Sequence, residues 1–181
     1  AQARMARAGA AERCDLRLQD YRDIADGPFD AIASIEMFEA VGERFWPGYF
    51  RRVRELLRPG GRALIQTITI ADALFARYRR GTDFIQQYVF PGGMLPSPAR
   101  FTALAQRHGL QVADDFAFGM DYARTLNHWH QAFNQQLDTV RAQGCDNRFI
   151  RLWQFYLAYC EAGFRAGSVD VHLFRLSPAA G

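Results

Sequence analysis

The run RALIQTITI, residues 62–70, constrains the fold more than any other stretch of the chain. It is apolar, rich in β-branched residues and follows the pair Gly60–Gly61, which reads as a strand. Just ahead of it, Phe45, Tyr49, Val53, Leu56 and Leu57 recur at helical spacing, and Pro59–Gly60–Gly61 ends that helix. Earlier still, FDAIASIEMF (29–38) reads as a short buried strand running into a loop, after the turn signal Gly27–Pro28. Strand, helix and strand in that order predict an α/β fold, a mostly parallel sheet covered by helices.

The rest of the chain extends this pattern. Residues 1–12 are rich in Ala and Arg and read as a helix, and CDLRLQ (14–19) alternates like a half-buried strand. Residues 71–89 carry helical patterning, and 90–98 is a loop. A helix over 98–109 has Pro at its start and Gly at its end. LQVADDFAF (110–118) is a strand candidate. Leu126, Trp129, Phe133, Leu137 and Val140 predict one long amphipathic helix, and Ile150, Trp153, Leu157, Cys160 and Phe164 predict another. VDVHLFRL (169–176) is the final strand.

With 49% hydrophobic and 23% charged residues, the 181-residue chain has globular composition, which excludes a disordered tail or a collagen-like chain. It has no run of about 18 apolar residues that would cross a membrane. All 22 basic residues are arginine, scattered at a net charge of +3. Without a long basic tail no nucleic-acid partner is expected, while an anionic membrane surface stays open. Cys14, Cys145 and Cys160 are odd in number, and no two stand at CxxC spacing. That fits a reducing compartment and argues against a structural zinc site, so no metal is expected. No leader motif is visible, and Ala1 reads as mid-helix, so an incomplete domain is expected.

Sheets of this kind bind ligands beyond the carboxyl ends of their strands. Glu36 and Glu39 fall at such an end, inside an apolar segment, where carboxylates are paired, functional or simply solvated. QDYRD (19–23) places an acid, a ring and a guanidinium at the preceding strand end. Cys160 lies on an apolar helical stripe, as a small buried hydrophobe would. His108, His128, His130 and His172 show no ligand spacing and read as structural or surface residues.

Several motifs then coincide. FDAIASIEMFEAVG (29–42) and LLRPGG (56–61) resemble an S-adenosylmethionine-dependent methyltransferase. DFIQQYVFPGGMLPS (83–97), DYARTL (121–126) and YLAYCEAGFRAG (156–167) narrow the resemblance to the cyclopropane-fatty-acyl-phospholipid synthase family, which includes the mycolic acid cyclopropane synthases. The resemblance implies a single domain over 1–181, with a Rossmann-like class I methyltransferase sheet. Helical acyl-binding insertions are expected over 71–100 and 121–165. The sheet's first strands, its glycine-rich loop, an acidic ribose-holding residue and one further cysteine are expected ahead of Ala1.

The activity implied is methyl transfer from S-adenosylmethionine to a cis double bond of an acyl chain. A carbocation results, and loss of a proton closes a cyclopropane ring. Water must be excluded, and aromatic faces can stabilise the cation. In the family the base is a bound bicarbonate ion. By resemblance, Glu39 would hydrogen-bond that ion, the Tyr122 hydroxyl would complete the cage, Cys160 would face the pocket, and the Ile68 backbone would lie beside the anion. Gln66 stands where many members carry histidine; plant-type and tuberculostearate-type relatives also carry glutamine there. Asp20, Tyr21 and Arg22 match the adenine-side segment of the cofactor site, with Ile35 on the opposite side of the adenine. The partners implied are an unsaturated phospholipid or acyl-carrier substrate and peripheral contact with the inner face of the membrane from the cytoplasm; a homodimer stays open. Alternative readings are a methylene- or methyl-branch-forming transferase of the same family, and a non-catalytic lipid-binding or gene fragment.

Overall fold

A computed structural model of the chain describes residues 1–179. A short helix α1 (Gln2–Arg7) and single 3-10 turns at Ala11–Arg13 and Tyr21–Asp23 lead into β1 (Phe29–Ile35). Then come α2 (Phe38–Val41), a 3-10 turn at Glu43–Phe45, α3 (Trp46–Leu56), β2 (Leu57–Ile70) and α4 (Asp72–Tyr78). A π-helical turn at Ile85–Val89 precedes α5 (Pro98–Arg107), β3 (Leu110–Ala117), α6 (Gly119–Gln135), α7 (Leu137–Ala142), α8 (Asn147–Arg165) and β4 (Val169–Pro178).

The four described strands form one sheet in the order β1-β2-β4-β3. Only β1 and β2 run parallel; β4 pairs antiparallel with both β2 and β3. The expected mostly parallel sheet is therefore mixed among the described residues. The parallel step needs the α3 crossover, whereas β3 and β4 return by way of the α6–α8 excursion to an antiparallel slot. The alternation of β2 divides its residues between two faces. Ala63 and Ile65 join Phe38, Trp46, Tyr49, Phe50, Phe101 and Phe174 in an aromatic core under α2, α3 and α5. On the opposite face, Ile68 packs with Ala123, Leu126, Leu157, Phe164 and Val171 beneath α6 and α8. Helices thus cover both faces.

Four sequence expectations about elements change. CDLRLQ (14–19) forms no strand: Leu16 and Leu18 are exposed, and no described strand lies beside the segment to take up its backbone hydrogen bonds. The helix expected through Leu126–Val140 breaks at Gln136 into α6 and α7. The helical patterning over 71–89 resolves into α4 and the separate π-helical turn. The helix expected over 1–12 is also confined to α1 and the following 3-10 turn.

Candidate active site

The carboxyl ends of β1 and β2 open onto two hollows, and a third runs along β1 beside α3. The largest, about 480 Å³, lies between the end of β2, residues 74–95 and α8. Its wall is mostly apolar, with Ile70, Leu74, Ile85, Phe90, Leu95 and Phe164 among its residues. The DFIQQYVFPGG segment builds one side. Asp83 and Gln86 cap one another reciprocally, Gln86 N–H to Asp83 Oδ1 at 2.8 Å and Asp83 N–H to Gln86 Oε1 at 3.1 Å. The Gln86 side-chain amide then donates to the Gly93 carbonyl at 2.9 Å and to Tyr78 Oη at 3.2 Å. Gly93 admits no larger residue without movement, because a Cβ there would stand 2.6 Å from the Phe90 ring. The motif is thus the scaffold of a cavity wall.

Glu39 stands at the head of this cavity, in the first turn of α2. Its Oε1 accepts from Thr67 Oγ1 at 2.8 Å and from the Ile68 N–H at 2.5 Å. Its Oε2 is buried without a partner. Burial pushes the Glu39 carboxyl above the usual carboxylate range, the two hydrogen bonds pull it partly back, and the charge of Glu36 adds to the rise. Ile68 and Cys160 line the same cavity. The Ile68 N–H is spent on Glu39 rather than free for an anion. Burial raises the Cys160 thiol to about 11, against which the neighbouring Tyr156 hydroxyl acts.

Gln66 and Tyr122 meet at the strand ends, outside the lining of that cavity. Gln66 Nε2 donates to Tyr122 Oη at 3.1 Å and to Glu36 Oε1 at 2.7 Å, and Tyr122 Oη donates to Glu36 Oε1 at 3.1 Å. Burial, then the charge of Glu36, raises the phenol to about 12. Tyr122 is carried by α6, whose first residue, Gly119, gives its N–H to Asp170 Oδ1 at 2.7 Å.

Asp20, Tyr21 and Arg22 line a second hollow of about 310 Å³ with Met37, Val41 and Phe45. Arg22 clasps Asp20 through its Nε at 2.9 Å and a terminal nitrogen at 2.6 Å, and its backbone N–H caps the same carboxylate. Those bonds hold the Asp20 carboxyl at about 2. Tyr21 packs edge-on against Tyr49. Ile35 lines the adjoining third hollow, which shares Tyr21 and Met37 with the second.

The structure therefore gathers the nine sequence-derived residues at one end of the sheet in three groups. Glu39, Ile68 and Cys160 lie at the apolar cavity, Gln66 and Tyr122 beside it, and Asp20, Tyr21, Arg22 and Ile35 across β1. Glu36, given no role from sequence, proves to be the hub of the middle group. Tyr156, also without an assigned role, stands beside Cys160. Their only signals were an acid at a strand end and an aromatic one turn from the cysteine.

Fold and site together define a mixed α/β domain of methyltransferase type, with a guarded apolar cavity at its strand ends. The description "Mycolic acid cyclopropane synthetase" matches residues 1–174, and the chain belongs to that family. It is 43% identical over 177 residues to tuberculostearic acid methyltransferase UfaA1 of Mycobacterium tuberculosis, covering 97% of this chain and 41% of that protein. It is 34% identical over 172 residues to the cyclopropane-fatty-acyl-phospholipid synthase of Escherichia coli K12, covering 90% of this chain and 42% of that protein. Among solved structures, mycolic acid cyclopropane synthase CmaA1, complexed with SAH and CTAB, matches with a TM-score of 0.79 at 28% identity, over 88% of this chain and 59% of its own. The chain thus spans about two-fifths of the length of these curated relatives.

Proposed function

We propose that this chain forms the substrate-facing part of an enzyme that transfers a methyl group from S-adenosylmethionine to a cis double bond of a fatty acyl chain and closes a cyclopropane ring. The observation that carries the reading is the position of Glu39: a buried carboxyl with one unpartnered oxygen, lining an apolar cavity. S-adenosylmethionine, when bound, supplies an electrophilic methyl group on sulfur. Tyr21 offers a ring face for its adenine, and Asp20, fixed by Arg22, offers carboxylate oxygens to neighbouring polar groups. Ile35 would close the opposite side.

Methyl transfer leaves a positive charge on the acyl chain, and loss of a proton from the added methyl closes the ring. Bicarbonate, when bound, supplies the acceptor for that proton. Glu39, its carboxyl raised by burial and its Oε2 unpartnered, would meet such an anion as a hydrogen-bond donor from Oε2 when it carries a proton. An apolar wall would disfavour water that would trap the cation. Tyr156 and Phe164 offer aromatic faces in the same cavity.

Exposed Tyr88, Phe90, Phe155 and Tyr159 cluster around the cavity rim, where Phe84 packs against Tyr88, Phe155 and Tyr159. They would meet a lipid surface, in keeping with an unsaturated phospholipid substrate. A second reading, a methylene-branched product formed without ring closure, draws on Gln66 and on the 43% identity to a protein named as a tuberculostearic acid methyltransferase.

The test uses the full-length protein that carries this chain, methyl-labelled S-adenosylmethionine and vesicles of cis-monounsaturated phospholipid. The expected product, read by lipid mass spectrometry, is an acyl group heavier by one labelled methylene that resists mild catalytic hydrogenation. A labelled chain that takes up hydrogen favours the branched reading. Absence of label from the lipid overturns both.

A further inference from the structure

Glu36 is the one residue of the strand-end network to which the family resemblance gives no role. It terminates β1 with φ of 51°, the left-handed region that non-glycine residues seldom occupy. Its N–H still continues the ladder to the Gln66 carbonyl at 3.1 Å, so the chain turns sharply while remaining tied to β2. The turn leaves the carboxylate within reach of both Gln66 and Tyr122, at 2.7 and 3.1 Å.

A count of donors gives this arrangement its meaning. A glutamine side chain has two N–H donors and a phenol has one. Gln66 Nε2 and Tyr122 Oη each direct a donor at the same Glu36 oxygen, at 2.7 and 3.1 Å. The phenol's one donor and one of the amide's two are thereby taken, and the group that holds them is itself an anion.

We propose that the Glu36 carboxylate is the resident anion of the Gln66–Tyr122 donor pair, so that bicarbonate reaches those donors only in competition with it. This deepens the proposed reaction and rests on it for the identity of the dissolved anion. Glu36 acts here as a positioning residue. It sets the direction of the Gln66 amide and the Tyr122 hydroxyl, and its charge opposes a second anion beside Glu39.

Glu36→Gln removes the charge and keeps a similar shape; Glu36→Gly suits the left-handed backbone and removes the side chain altogether. Binding of 13C-bicarbonate to the full-length protein that carries this chain is measured by NMR for wild type and both variants, each checked for unaltered folding by circular dichroism. Both variants are expected to bind bicarbonate about fivefold or more tightly than wild type, since a like charge has been removed at close range. Equal or weaker binding by the variants overturns the proposal.

A second readout separates it from the bicarbonate reading. The Tyr122 phenol is titrated by NMR in tyrosine-labelled protein, with Tyr122→Phe identifying its signal. Glu36→Gln is expected to lower its midpoint by about one pH unit, as a neighbouring negative charge and a hydrogen-bond acceptor are weakened. If no protein binds bicarbonate, the bicarbonate reading fails. A lowered phenol midpoint then sustains Glu36 as the resident anion, and an unmoved midpoint overturns it.

Discussion

Glu39 carries two opposing demands in one side chain. Its Oε1 is anchored by Thr67 and Ile68, while the buried Oε2 meets nothing. Glu39→Ala removes the whole carboxyl, the anchored oxygen and the one proposed to meet the anion. Turnover of the full-length enzyme is expected to fall about 100-fold or more, with S-adenosylmethionine affinity changed by no more than about twofold, measured by steady-state kinetics and calorimetry. Stability moves the other way. The folded-state value of Glu39 lies above its unfolded value, so its contribution is full below about 4.5 and is lost as pH rises through the folded value. Glu39→Gln lacks that loss. Its Tm at pH 8 is therefore expected to equal or exceed that of wild type by up to about 5 °C, read by calorimetry. Cys160 gives an independent check. With its thiol held at about 11, only about one part in a thousand is thiolate at pH 8. Exposed Cys14 is expected to take up iodoacetamide well before Cys160 does, as followed by peptide mass spectrometry.

Among the elements, the α6 N-terminus shows how a site residue is aimed from a distance. Gly119 packs so tightly on Asp170 of β4 that a Cβ would lie 2.5 Å from Asp170 Oδ1 and 3.1 Å from its Cα. Asp170 Oδ1 accepts from the N–H of Gly119 and that of Val171, each at 2.7 Å. Tyr122 follows on the next residues of the helix. Gly119→Ala must push α6 off β4. It is expected to cost about 1–3 kcal/mol in chemical denaturation and to weaken the Tyr122–Glu36 contact. Most elements were legible in the chain because local pattern decided them: β2 from its β-branched run, α3 and α8 from apolar spacing, α5 from Pro98 and Gly109. CDLRLQ misled because alternation states which side chains would be buried, not whether a neighbour exists to bury them. The break at Gln136 was illegible because Leu137 and Val140 keep the apolar period across it. The Gly119–Asp170 contact joins residues 51 apart and leaves no local signal.

The molecule as a whole places an aromatic core on one face of the sheet and a cavity-bearing helical layer on the other. The cavity wall can therefore be changed with little effect on the core. Leu74 lines the cavity yet is 37% exposed. Leu74→Trp is expected to narrow the cavity and raise the apparent KM for a long acyl substrate about tenfold, while Tm falls by no more than about 2 °C. Phe101→Ala, in the opposite layer and fully buried between Phe38, Phe50 and Phe174, is expected to cost about 3–5 kcal/mol in denaturation. By itself the sequence determined the α/β class, the principal strands and helices and the family, since apolar period, turn residues and motifs are local properties. Only the tertiary structure decided that β4 enters antiparallel beside β2, that Gln86 and Gly93 brace one cavity wall, and that Glu36 captures the donors of Gln66 and Tyr122. Glu36 and Tyr122 stand 86 residues apart. Whether a strand-end carboxylate is solvated or bound depends on which donors the fold brings within about 3 Å, and spacing along the chain does not encode that distance.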